Sequence, residues 1–442
     1  MVRTMPGYRS LAKNRDFTAL WIGQTISQLG SRVSMFVFPL IAWAMTGSAF
    51  IAALAEALHL FGLAATLLPA GVLADRIHRR RLMRVSSGIG VILYLSLAVA
   101  GSQGVLTLPH LLVVALLTGA AAGLFAPAEI SALRSVVPDE DLPTALSQNQ
   151  ARQHVASLVG GPLGGALYGL TRWLPFAADA VSFVISWLLL GRIRTDLSAP
   201  KRSGPPRRPR QDIADGIRFI WNSPFFRVLT CWSALTNLMV NALFVVAVLR
   251  LIQGGFVPWQ IGLVETAAGT CGILGAIVAP WLIERFATGR LTVVIAWSFL
   301  PLLVPMVLWN HPAVVAAALS FGLFLNPAGH AGIQSYRIAV TPTDLIGRVQ
   351  STTQFVSMSA MPLAPLLGGA LLAGLGGPAS IVILGLLTAG VALIPTLSRT
   401  VRSVPRPAVW RQPSTEPLNV QDGERSSRPR KPELSGQIRP NQ

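Results

Sequence analysis

The chain is predicted to be an all-α membrane protein whose twelve transmembrane helices form two parallel-repeat bundles of six. Three observations carry that expectation. Of its 442 residues, 52% are hydrophobic and only 12% are charged, against about 25% charged in ordinary soluble domains. Its apolar residues gather into twelve runs, near 17–44, 49–74, 82–102, 106–130, 144–170, 173–191, 225–250, 257–283, 290–309, 312–336, 347–374 and 376–397. A hydrocarbon core about 30 Å thick takes roughly 20 apolar helical residues to cross, so each run is a candidate span. The first six runs also resemble the last six. When "AEALHLFGLAATLLPAGVLADR" (55–76) is aligned with "VETAAGTCGILGAIVAPWLIER" (264–285), Glu56 falls on Glu265, Asp75 on Glu284 and Arg76 on Arg285. Further on, "GPLGGAL" (161–167) answers "APLLGGAL" (364–371), and "GLFAP" (123–127) answers "GLFLNP" (322–327). Apolar bias can match leucines by chance. It cannot align two acids and a base.

Taken in order, residues 1–16 form a basic N-terminus. The apolar run behind it is too long for a signal-peptide core and has no small-residue cleavage site, so it reads as the first span. Spans one to six make an N-terminal bundle over 17–191. Residues 192–223, including "RIRTDLSAPKRSGPPRRPRQDIADG" (192–216), are basic, Pro-rich and without apolar periodicity, the pattern of a linker. Spans seven to twelve fill 224–397, and 398–442 is expected to be a disordered basic tail with too little apolar surface to fold. A net charge of +18 would suggest nucleic acid in a soluble protein. Here position matters more. All Lys and Arg except Arg32, Arg172 and Arg250 are assigned to the N-terminus, the even-numbered loops, the linker, the start of span seven and the tail. That asymmetry places both termini and the linker in the cytoplasm of a multi-pass cell-membrane protein. Cys231 and Cys271 fall inside spans, so neither a disulfide framework nor a zinc site is expected, and no cofactor is called for.

A parallel repeat of six-helix halves around a linker is the plan of a two-bundle transporter with a pseudo-two-fold axis along the membrane normal. The stretch "GVLADRIHRRR" (71–81) sharpens this: a glycine, an apolar pair, Asp-Arg, then a basic cluster. It resembles the signature of the major facilitator superfamily in the loop between spans two and three, matched by Gly71, Asp75, Arg76, Arg79 and Arg80. His78 stands where that signature usually has glycine. "SVVPDEDLPTALSQNQARQHVASLVGGPLGGALYG" (135–169) and "IGLVETAAGTCGILGAIVAPWLIERF" (261–286) are similar to the macrolide- and siderophore-exporter branch, and the likeness runs over roughly residues 15 to 397. It implies efflux of a small amphipathic compound, usually by proton antiport, and a cytoplasmic gate built on the loop motif. Span five carries an antiporter-like glycine motif at Gly161, Pro162, Gly164 and Gly165, with Ser157 in place of an upstream glycine. Span four lacks the intramembrane arginine that many drug–proton antiporters carry.

Several charged residues then become candidates. Asp75 ends span two, where the negative end of the helix dipole disfavours an acid, so it needs a partner. An arginine of its own cluster, Arg134, or the start of span eleven near Gly347 would serve. Within the spans, Arg32, Glu56, Asp179 and Glu265 are costly to bury and mark proton or substrate handling. Counting depth at 1.5 Å per residue puts Glu56 about 10 Å inside the outer end of its span and Arg32 roughly 5 Å deeper. An Arg32–Glu56 pair is expected on that count, which leaves Glu265 without a base. His59, one turn from Glu56, is expected to pack rather than share its proton, and the run "GGPLGG" (160–165) to serve close helix crossing.

The absence of GxxxxGK[ST], HExxH and GxSxG motifs argues against an ATPase, protease or esterase, so no enzyme is expected. The leading reading is an exporter of a small, amphipathic organic compound, with proton antiport as what the family resemblance implies. An importer or facilitator of the same fold, and a membrane scaffold or ligand sensor, are the alternatives. The expected partners are a small-molecule substrate, protons and the lipid bilayer, with no nucleic acid and a monomeric state.

Overall fold

A computed structural model describes residues 11, 13–74, 77–138, 140–198, 217–342 and 345–406. The N-terminal half comprises α1 (Arg15–Thr46), α2 (Ala49–Ala74), α3 (Arg79–Ser102), α4 (Leu108–Val136), α5 (Leu142–Leu170) and α6 (Leu174–Arg192). The C-terminal half comprises α7 (Pro224–Gln253), α8 (Pro258–Arg285), α9 (Thr288–Ser298), α10 (Leu300–Leu308), α11 (Pro312–Val340), α12 (Ile346–Ser359), α13 (Leu363–Leu375) and α14 (Gly377–Leu397), followed by the short α15 (Arg399–Arg402). Helices α9 and α10 make one span interrupted at Phe299, and α12 and α13 make another broken at 360–362. That gives twelve spans among the described residues.

Local chemistry sets the ends. The Asn14 side chain accepts hydrogen bonds from the amides of Asp16 and Phe17, at 3.1 and 3.0 Å, and so caps α1. Gly47 ends that helix in the left-handed region, φ 63°, where a side chain would be strained. Proline opens the first turn of α4, α5, α6, α7, α8 and α11, where its missing N–H has no helical partner to lose. Among the described residues, ten spans are long and apolar enough to cross a membrane by length and composition. The other two are α5, made polar by "SQNQARQH" (147–154), and the broken span α12–α13. Both border space between the halves.

The repeat is visible in the packing. Helix α2 crosses α4 in one half, and α8 crosses α11 in the other. Both crossings bring backbones together: a Cβ on Gly119 would fall 1.9 Å from the His59 carbonyl, and one on Gly275 would fall 1.9 Å from that of Phe324. The halves meet through α5 on α8 and α13 on α2, two interfaces that exchanging the halves would interchange. Their glycines follow the same rule. Gly164 lies against α1 of its own half and Gly165 against Pro258 and Trp259 of the other. Gly368 lies against α7 of its own half and Gly369 against Ala49, Phe50 and Ala53 of the other.

These contacts lie away from the face that carries the linker. There, α12 packs on α7 of its own half, whereas its continuation α13 reaches across to α2. The halves are therefore closed on the far face and parted toward the linker face. Within the N-terminal half the linker face is tied shut. Asp16 accepts from the Arg194 and Thr195 amides and the Thr195 hydroxyl, and the Asn14 side chain donates to the Val136 carbonyl. Two expectations change. Residues 398–406, assigned to a disordered tail, include α15, and the Gly289 amide donates to the Val404 carbonyl, because Gly289 lets the chain lie directly on the start of α9. Residues 407–442 lie outside the described part. Arg152, assigned to a loop, lies well inside α5 and is buried.

Candidate functional site

A cavity of about 730 Å³ lies between the halves, with walls from α1, α2, α4, α5, α7 and α8. Apolar and aromatic side chains such as Met35, Phe36, Phe125, Phe183 and Phe244 make much of its surface. Its ionisable lining groups sit in two tiers. Arg32 on α1, Glu56 on α2 and Glu265 on α8 stand at the closed end, and Glu129 on α4 with Arg152 on α5 stand toward the linker face.

The closed end departs from the depth count. The electrostatic partner of Arg32 is Glu265, and Glu265 also feels the like charge of Glu56. No ion pair within 4 Å joins Arg32 to either acid among the described residues. The expected Arg32–Glu56 pair is thus replaced by Arg32 facing an acid of the opposite half. The glycine motif explains the exchange. A Cβ on Gly160 would meet the Arg32 Cβ at 2.5 Å, and one on Gly161 would meet the Glu265 carboxylate at 3.0 Å. Only a bare backbone allows α5 to fit between the helices that bear the arginine and the acid. Depth along a helix could be counted from the sequence. Helix rotation could not.

The second tier was not expected at all. Arg152 donates to Glu129 at 2.6 Å, and their side chains are only 3% and 16% exposed. They lie roughly 15 and 10 Å inside the linker-side ends of their helices, at 1.5 Å per residue. The hydropathic run ending at 130 puts Glu129 at a span's edge, and the charge count groups Arg152 with the loop arginines although the run 144–170 contains it. A helix continuing to Val136 and starting at Leu142 puts both inside.

The remaining candidates separate. Asp179 is fully buried within the N-terminal half and does not line the cavity. The Ser182 hydroxyl donates to it at 2.9 Å, and Gly30 passes so close that a Cβ there would fall 2.4 Å from its Oδ1. His59 is buried at the cavity wall with Nδ1 3.3 Å from the Thr118 hydroxyl, an ordinary packing role. In the loop motif, Asp75 and Arg76 lie outside the described residues, and Gly71 is within α2. Arg79 is buried and donates to Ser135 and the Ser198 carbonyl, while Arg80 donates to the Ile193 carbonyl at 2.5 Å. His78 lies 3.4 Å from Asp196, whose carboxyl is held below its ordinary range by the Ser198 hydroxyl and amide. These basic residues clamp the chain leaving α6 onto α3 and α4. Cys231 and Cys271 are free thiols, and among the described residues no group of three or more His, Cys, Asp or Glu could hold a metal ion.

Three acids against two arginines give the cavity lining one excess negative charge, with His59 counted neutral. Largely apolar walls make that imbalance costly unless a proton or a cation enters. The same space can therefore take either.

Comparison with known proteins agrees with this architecture. A family model described as Major Facilitator Superfamily matches residues 20–364. The multidrug efflux pump Tap of Mycolicibacterium fortuitum is 25% identical over 380 residues, covering 81% of this chain and 89% of that protein. The enterobactin exporter EntS of Citrobacter koseri is 26% identical over 421 residues, covering 91% and 94%. Among solved structures, a bacterial homologue of the human lysosomal transporter Spinster, in an inward-facing and unoccupied conformation, superposes with a TM-score of 0.68 at 15% identity, covering 91% of this chain and 98% of that one.

Proposed function

The chain belongs to the major facilitator superfamily, and we propose that it exports a small amphipathic organic cation by alternating access, driven by proton antiport. One observation carries the reading: an apolar cavity between the halves with an unbalanced acid at its closed end. The cavity's aromatic walls suit the hydrophobic part of such a compound, and the excess carboxylate suits its charge. Export is supported by the relatives named as efflux proteins. Orientation follows from the basic linker face, which the positive-inside asymmetry assigns to the cytoplasm. The cavity then loads from the cytoplasm.

In this mechanism a cation entering from the cytoplasm displaces a proton from the Glu56–Glu265 pair. Arg32 can neutralise one of the two carboxylates, so the other must carry either the proton or the substrate's charge. Rocking of the halves about the α5–α8 and α13–α2 contacts opens the far face, where the cation leaves and a proton replaces it. Asp75, which follows α2 in the sequence, is assigned the contact that closes the linker face in that second state. The test is uptake of a lipophilic cation, tetraphenylphosphonium, into inverted vesicles carrying an imposed pH gradient, acid inside. Gradient-dependent accumulation supports the reading. Accumulation only with the opposite gradient indicates an importer, and binding without accumulation indicates a sensor.

A further inference from the structure

A second cavity, of about 310 Å³, lies inside the C-terminal half among α7, α9, α11, α12 and α14, and shares no lining residue with the central one. By the repeat, Thr236, Ile295 and Phe299 answer Ser27, Ser86 and Gly90, which line the central cavity in the N-terminal half, whereas the buried apolar cluster with Leu20, Leu82 and Leu190 lies nearer the linker-side helix ends. At this level the N-terminal half opens onto the central cavity, whereas the C-terminal half encloses a recess of its own. Polar walls around a space of that size can hold water or a ligand.

The chemistry of the walls selects the ligand. Arg337 is 8% exposed, donates to Thr353, and has its Nε without an acceptor. The indole N–H of Trp232 is likewise buried without an acceptor. No Asp or Glu lines the cavity, and no acid lies within 4 Å of Arg337 among the described residues. His330 adds another nitrogen, and Asn237 and Asn326 add amides. Leu229, Ile295 and Phe299 supply an apolar floor. Donors and one positive charge with no acid beside it among the described residues thus face an apolar surface. We propose that this cavity binds an amphipathic organic anion, a carboxylate or similar oxyanion on an apolar ring, with Arg337 and Trp232 as its donors. It is the opposite in charge to the central cavity, and its occupant is not the exported cation.

The test uses the purified full-length protein and isothermal titration with three probes of one shape: 1-naphthoate, neutral 1-naphthamide and cationic 1-naphthylmethylamine. The expected result is binding of the carboxylate at least tenfold tighter than of the amide, with the amine weaker still at this site. Arg337→Gln should weaken the carboxylate at least tenfold, Trp232→Phe should weaken it several-fold, and Glu265→Gln in the central cavity should leave it unchanged. Equal affinity for carboxylate and amide overturns the proposal, as does carboxylate binding that responds to Glu265→Gln but not to Arg337→Gln. Should Arg337→Gln fail to fold, Trp232→Phe decides: undiminished naphthoate affinity in that variant overturns the proposal. Because none of these readouts involves transport, failure here leaves the export reading standing, and failure of export leaves this site standing.

Discussion

Arg32 faces Glu265 of the opposite half, and Glu265 in turn feels the like charge of Glu56. That makes the roles of Glu56 and Glu265 separable. Glu56→Gln removes the acid that the arginine does not face, so export should lose its dependence on external pH while the folded yield holds. Glu265→Gln leaves Arg32 with no acid beside it, so both transport and thermal stability should fall. Transport in vesicles over a pH series, with melting curves of the two purified variants, checks both outcomes; unchanged pH profiles in both would remove the pair from proton handling. The buried Glu129–Arg152 pair calls for a different measurement. Glu129→Gln should destabilise by about 3 kcal/mol, because it strands a desolvated guanidinium. Adding Arg152→Gln should recover part of that loss in a double-mutant cycle. The sequence made the acids at 56, 179 and 265 legible because each interrupts an apolar run. It hid 129 and 152, which stand near the ends of their runs, the second in the polar stretch "SQNQARQH". It also could not assign the partner of Arg32, because the choice depends on helix rotation and on how closely α5 admits its neighbours.

Glycines on α5 and α4 distinguish two kinds of helix contact. Gly161 and Gly165 face α8 of the other half, and each marks a place where the closed far face depends on backbone touching backbone. Gly165→Ala puts a methyl group within 2.6 Å of Pro258 and Trp259. The chain should still fold, but the equilibrium should shift toward the far-face-open state. Cysteine accessibility at residues lining the closed end would rise if so, and stay at the wild-type level if the contact is dispensable. Gly119→Ala, by contrast, meets the His59 carbonyl inside one half and should cost folded yield without a directional bias. The "GGPLGG" run was readable as close packing from its small residues alone. That its faces alternate between the two halves was not, although the matching glycines at 368 and 369 were visible in the repeat. Helix α5 and the broken α12–α13 also show why apolarity alone undercounts spans. A helix beside an aqueous cavity can be polar or interrupted where protein and water, rather than lipid, surround it.

For the whole molecule, the fold class and the six-plus-six organisation were legible because hydrophobic run length and a charged repeat are one-dimensional signals. Which face is closed was not, since that is a property of a state and the same sequence must adopt both. The central claim is that a proton gradient drives a cation outward through the cavity bearing Glu56 and Glu265. The most direct measurement is tetraphenylphosphonium accumulation in inverted vesicles under an imposed acid-inside gradient, with and without a protonophore, for the wild-type chain and the Glu56→Gln/Glu265→Gln double variant. The account predicts accumulation by the wild type that collapses with the protonophore and is absent from a folded, membrane-inserted double variant. Accumulation that ignores the protonophore, or that persists in the double variant, would contradict it.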